Sequence, residues 1–125
     1  MFHSVVAVFI GGGLGAVLRY CVTQLSRVLF QMPILGTFTV NLIGGFLIGY
    51  VCGLASDKLQ MASPVLKLFL TVGFLGGLTT FSTFSLEGFE LIKAGKIGVA
   101  ILYMVCSCVL TLFLVFVGYS LAAKP

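Results

Sequence analysis

Charge is what this sequence has least of. Only 8% of its 125 residues are charged, whereas a water-facing domain carries roughly 25%. A soluble globular domain is therefore excluded. Tryptophan is absent, and there are one histidine and three carboxylates. So small a stock leaves little for acid–base chemistry. The sequence holds no G-x-x-x-x-G-K-[ST] loop, no metal-ligand cluster and no Ser/His/Asp set. An enzyme is not expected. The net charge of +4 is scattered, with no basic run to suggest nucleic acid or a headgroup patch. Cys21, Cys52, Cys106 and Cys108 form no C-x-x-C. They read as small buried apolar residues rather than as a disulfide or metal site.

What is present is apolar length. Hydrophobic residues make up 60% of the chain, and the mean hydropathy is +1.24. A spanning helix needs about 20 apolar residues. Four such runs are expected, at about 5–25, 36–55, 65–92 and 97–122. They leave no room for a soluble domain. The breaks carry turn chemistry: Gln31-Met32-Pro33, Ser56-Asp57-Lys58, Ser63-Pro64 and Lys93-Ala94-Gly95-Lys96. Long apolar runs, rather than alternating ten-residue segments, argue against a transmembrane barrel. The first run reads as a permanent span, because no small-residue cleavage site ends it.

Orientation signals nearly cancel. One side of the membrane would carry Lys58, Lys67 and Lys124, and the other Arg27, Lys93 and Lys96, with Arg19 nearer the second. Three against four is almost no positive-inside bias. The balance favours insertion in both orientations, with opposed copies pairing about a two-fold axis in the membrane plane. The alternative is that Arg19 with Arg27 still fixes one orientation.

Three glycine-rich patches follow one another: "GGGLGAVLRY" (11–20), "GTFTVNLIGGFLIGYVCG" (36–53) and "GFLGGLTTFSTF" (73–84). Small residues four apart let helix backbones approach closely in lipid. Gly11/Gly15, Gly45/Gly49/Gly53 and Gly73/Gly77 have that spacing. The fourth run lacks it, and its Phe113 and Phe116 suit an outer layer.

The third run is the anomaly. It carries Thr79, Thr80, Ser82, Thr83, Ser85, Glu87 and Glu90 at the depth of a membrane span. Gly76-Gly77 predicts an unwound or kinked helix, since each glycine costs a helix about 1 kcal/mol. Freed carbonyls at that depth must meet protein, water or an ion. Phe81 and Phe84 share a face, beside hydroxyls at Ser82 and Thr83. Ring edges are electropositive. With hydroxyl protons they can line a route for a small anion, or they can simply be packing and back-bonding groups. Asn41 offers two amide donors, to an anion or to a neighbouring helix. Tyr103 adds a phenol. Arg19 is an intramembrane charge, either functional or snorkelling. Glu87 and Glu90 lie near a helix end, facing a vestibule or solvent.

These patches resemble the signature segments of the Fluc (also called CrcB) fluoride channels. The resemblance covers all four spans in order, and TTFSTF is its most specific part. It implies an all-α membrane protein of four transmembrane helices with a broken third helix, assembled as an antiparallel dual-topology homodimer. It implies passive export of fluoride through two pores, in the inner membrane of a bacterial cell. By the same resemblance the pore residues are Asn41, Phe81, Phe84, Ser82, Thr83 and Tyr103. Arg19 and Glu87 take structural or vestibule roles. A structural sodium ion at the dimer centre is held by the backbone carbonyls of Gly76 and Thr79.

Two rivals of other kinds remain. A small proton-coupled multidrug exporter needs a deep carboxylate, for which Glu87 is the one near candidate. A non-transporting membrane scaffold would explain the glycines but not the Phe and hydroxyl stripes.

Overall fold

The computed structural model of the chain describes residues 1–57 and 63–123, with the side chains of 55–57 outside the described set. Lys58 and Lys124, two charges of the orientation count, fall outside the described residues, as does part of the Ser56-Asp57-Lys58 break. Among the described residues all regular structure is helical. Helix α1 is Phe2–Phe30 and α2 is Pro33–Asp57. Helix α3 covers residues 64–78, α4 is Phe81–Lys93, and α5 is Ile97–Ala122.

Local chemistry sets most of the ends. Helix α1 closes on Gln31 in the left-handed conformation (φ 56°), whose N–H donates to the Arg27 carbonyl. Pro33 then opens α2, where a missing N–H costs nothing. Ser63 caps α3 by accepting from the Val65 N–H at 3.3 Å, with Pro64 in the first turn. Gly95 (φ 75°) turns the chain between α4 and α5.

Four segments are long and apolar enough to cross a membrane: Phe2–Phe30, Pro33–Leu54, Pro64–Lys93 and Ile97–Ala122. Large apolar side chains stand exposed on the outer faces, with Phe9 at 80% and Leu112 at 72%. In water such a surface would aggregate; against acyl chains it is matched. The chain is a multi-pass membrane protein.

Within the third segment the helix is interrupted twice over. Pro64–Leu68 is α-helical, Phe69–Leu75 is π-helical, and Gly76–Leu78 returns to α. The chain then becomes extended at Thr79 (φ −80°, ψ 156°) and Thr80 (φ −149°, ψ 125°) before α4 begins. The expected unwinding at Gly76-Gly77 is therefore misplaced: both glycines are helical, and the break lies at the two threonines. The cause is side-chain chemistry. Thr80 Oγ1 accepts from the Thr83 N–H at 3.2 Å, which caps the new helix with a side-chain oxygen that glycine does not have.

Gly77 serves close approach instead. A Cβ there would stand 3.0 Å from the Gly12 Cα and collide with the Gly12 carbonyl oxygen. From the other side, a Cβ on Gly11 would lie 2.6 Å from the Phe69 carbonyl oxygen. Helix α1 thus lies backbone to backbone on α3. The pair α2 and α5 repeats the device. Gly45, Gly49 and Gly53 seat against Thr111, Val115 and Tyr119. The fourth span joins this ladder from its own side, since a Cβ on Gly118 would strike the Phe46 carbonyl. This span has no glycines four apart, yet Gly118 alone makes a close approach, while its Phe113 (58%) and Phe116 (67%) face outward. A small core of Val40, Leu75 and Leu78 fills the space between these pairs.

Candidate functional site

Breaking a helix inside a membrane strands backbone groups that water cannot reach. The side chain of Asn41, from the middle of α2, meets one stranded peptide from both sides. Its Nδ2 donates to the Thr80 carbonyl at 3.1 Å, and its Oδ1 accepts from the Thr80 N–H at 2.8 Å. The backbone N–H can only donate, so the amide orientation is fixed. One Nδ2 proton remains. Asn41 is thus helix–helix glue, and it also keeps a spare donor.

Asn41 also lines a cavity of about 490 Å³ between α2, α5 and the helix break. Asn41, Gly76, Thr79, Thr80, Phe81 and Phe84 line it. The two rings stand 5.7 Å apart between centroids, inclined at 42°. Phe84 is buried, while Phe81 is 77% exposed at the open side. Phe84 also packs on Tyr103 at 5.3 Å.

The far wall of the cavity comes from α5, through Ser107 and Thr111 among others. Ser107 Oγ is buried with no hydrogen-bond partner among the described residues. Neither residue was singled out from the sequence. The available signal was spacing: Tyr103, Ser107 and Thr111 fall four apart in an otherwise apolar run.

The remaining predicted residues divide between two flanks. On one, Tyr103 Oη donates to Glu87 Oε2 at 2.8 Å, and Thr37 Oγ1 donates to Glu87 Oε1 at 2.7 Å. Glu87 is therefore held between α2 and α5 rather than free at a helix end, and the phenolic proton of Tyr103 is directed to it. Thr37, fully buried at 1% exposure, is a third residue that sequence reasoning missed. On the other flank, Arg19 Nε donates to the Gly77 carbonyl at 3.2 Å, and Nη1 reaches Thr83 Oγ1 at 3.4 Å. Thr83 and Ser82 gather there around Thr80 Oγ1, at 3.1 and 3.4 Å. They do not line the 490 Å³ cavity. The single stripe of hydroxyls expected along this helix is thus split. Thr79 Oγ1 bonds back to the Leu75 carbonyl at 3.0 Å, as a threonine at a helix end does.

Among the described residues, no donor reaches the carbonyls of Gly76 and Thr79, and no three His, Cys, Asp or Glu side chains gather as a metal cluster. Neutral oxygens, amide and hydroxyl donors and ring edges meet at one break, with no lysine or arginine among the described residues of the cavity wall. That chemistry suits a small ion held weakly.

Fold and site together define a compact four-span membrane protein whose polar chemistry is concentrated at one broken helix. The chain belongs to the CrcB family: residues 6–119 match the family described as CrcB-like protein, Camphor Resistance (CrcB). It is 44% identical to the protein named fluoride-specific ion channel FluC from Pyrococcus horikoshii, over 92% of each chain. It is 45% identical to the Pyrococcus furiosus protein of the same name, over 98% of each. The Serratia proteamaculans protein of that name is 49% identical over 77% of this chain and 75% of its own. These relatives carry the name of a channel, not of an enzyme.

Proposed function

We propose that this protein is a fluoride-selective channel that lets fluoride leave the cytoplasm passively. The observation that carries the reading is the Phe81–Phe84 pair beside the Asn41 amide at the break, in a chain whose relatives are named fluoride-specific ion channels. Ring edges, one amide proton and the Ser107 and Thr111 hydroxyls are all weak donors. They replace part of the ion's hydration shell without a fixed charge to trap it.

The cavity opens past an exposed Phe81, and polar groups at bilayer depth cannot face lipid. A second, antiparallel copy would close that side and complete two pores, in keeping with the nearly balanced basic residues. The cytoplasmic membrane, the inner membrane in bacteria, is the setting that such export requires.

Sodium is the proposed resident cation. The uncommitted Gly76 and Thr79 carbonyls are neutral hard donors of the kind that unwound membrane helices offer it. Bound there, the ion would satisfy carbonyls that the break leaves without donors. Ser82, Thr83 and Arg19 lie on the approach to the break. Tyr103 contributes its ring, packed on Phe84, and donates its phenolic proton to Glu87 in a hydrogen bond. Fluoride efflux from liposomes, set against chloride efflux, tests the reading.

A further inference from the structure

On the other flank of the break, Arg19 is a charge with no carboxylate against it among the described residues. Arg19 comes from α1 and touches both halves of the broken helix: the Gly77 carbonyl of α3 and the Thr83 hydroxyl of α4. A guanidinium can only donate. Thr83 Oγ1 must therefore accept from it. It also accepts from Thr80 Oγ1 at 3.1 Å, while Thr80 Oγ1 accepts from the Thr83 N–H at 3.2 Å. Both lone pairs of the Thr83 hydroxyl are then occupied. Its one proton has no acceptor among the described residues.

We infer that Arg19 is a positioning residue that sets the polarity of the Thr80–Thr83 hydroxyl pair, so that Thr83 offers a proton, and never a lone pair, to an ion at the break. A free hydroxyl turns to suit either a cation or an anion. One that accepts from a guanidinium and a second hydroxyl has lost that choice. It becomes an anion-selective donor, and its partial positive charge is strengthened by the cation behind it. Neither Arg19 nor Thr83 lines the 490 Å³ cavity, so this donor serves an ion on the approach to the break, with the full charge one hydroxyl further back. The inference rests on the channel reading proposed above.

A double-mutant cycle in reconstituted liposomes tests it, with initial fluoride efflux as the readout. Thr83→Val keeps the shape and removes the hydroxyl; it is expected to slow efflux about tenfold, the weight of one hydrogen bond. Thr83→Ser should recover most of that loss. Arg19→Gln should also slow efflux, and the double variant should be no slower than the slower single variant, because the two residues act through one proton. If Arg19→Gln does not reconstitute, Arg19→Lys takes its place, since an ammonium cannot span both the Gly77 and Thr83 acceptors. Losses that multiply would give Arg19 a role in holding Gly77 alone and overturn the inference. So would wild-type efflux in Thr83→Val. Absence of fluoride efflux from the wild type would instead overturn the channel reading itself.

Discussion

Asn41 holds the peptide of Thr80 as a neighbouring strand would, with an N–H donated to its carbonyl and an oxygen accepting from its N–H. This pairing lets a helix stop inside a membrane without leaving that peptide unpaired. It joins the second span to the break in the third, so the shape of the site depends on a residue about forty positions earlier in the chain.

Removing that grip should cost both stability and transport. Asn41→Ala leaves the Thr80 N–H and C=O without partners, at about 1–3 kcal/mol for each buried group. Asn41→Asp keeps the acceptor but loses the donor and adds a negative charge beside the ion path. Both variants should lose fluoride efflux, and Asn41→Ala should also lower the thermal midpoint in detergent. Wild-type efflux from Asn41→Asp would remove the amide from the pathway.

The two phenylalanines should separate by burial. Phe81→Ile changes an exposed ring, so the fold should be untouched while fluoride throughput falls. Phe84→Ile changes a buried one that also packs on Tyr103. It should lose throughput and about 1–2 kcal/mol of stability. Size-exclusion profiles and efflux rates measured together check both. Unimpaired rates in the two variants would remove the ring edges from the account.

Adjacent glycines at the break give a sharp contrast. Gly77→Ala places a methyl into the Gly12 backbone, and should cost about 1–3 kcal/mol as overpacking. Gly76→Ala meets only the Thr71 carbonyl at 3.6 Å and should be tolerated by the fold. Thermal melts of the two purified variants check this. Equal loss in both would mean that contact with the α1 backbone is not what makes position 77 glycine.

Sodium should matter to assembly. If the proposed sodium ion sits at the Gly76 and Thr79 carbonyls, replacing it by a bulky organic cation during purification should lower fluoride efflux or split the proposed dimer. Indifference of both readouts would leave those carbonyls without the proposed ligand.

How much of this was legible beforehand depended on the kind of signal. Membrane spans are written in composition, and four apolar runs separated by proline, glycine and charge were enough to find them. Close approach of helices is written in spacing, which is why Gly11, Gly15 and Gly77 stood out. The break was placed at Gly76-Gly77 because propensity penalises glycine. A threonine's ability to cap the next helix mattered more, and it depended on Thr83 lying three residues on. Gly118 escaped notice because its partner, the Phe46 backbone, lies in another helix. Thr37 and Ser107 are unremarkable in sequence; only packing places one against Glu87 and the other, unpartnered, in the cavity wall. Arg19 was visible as a rare intramembrane charge, but its two acceptors on α3 and α4 were not.

A polar break of this kind should conduct fluoride in preference to other anions. Its most direct test is efflux from liposomes containing the purified protein, with valinomycin carrying compensating potassium and chloride as the control. The account predicts fast fluoride efflux with little chloride efflux. Well-folded protein that released neither ion, or both alike, would contradict it.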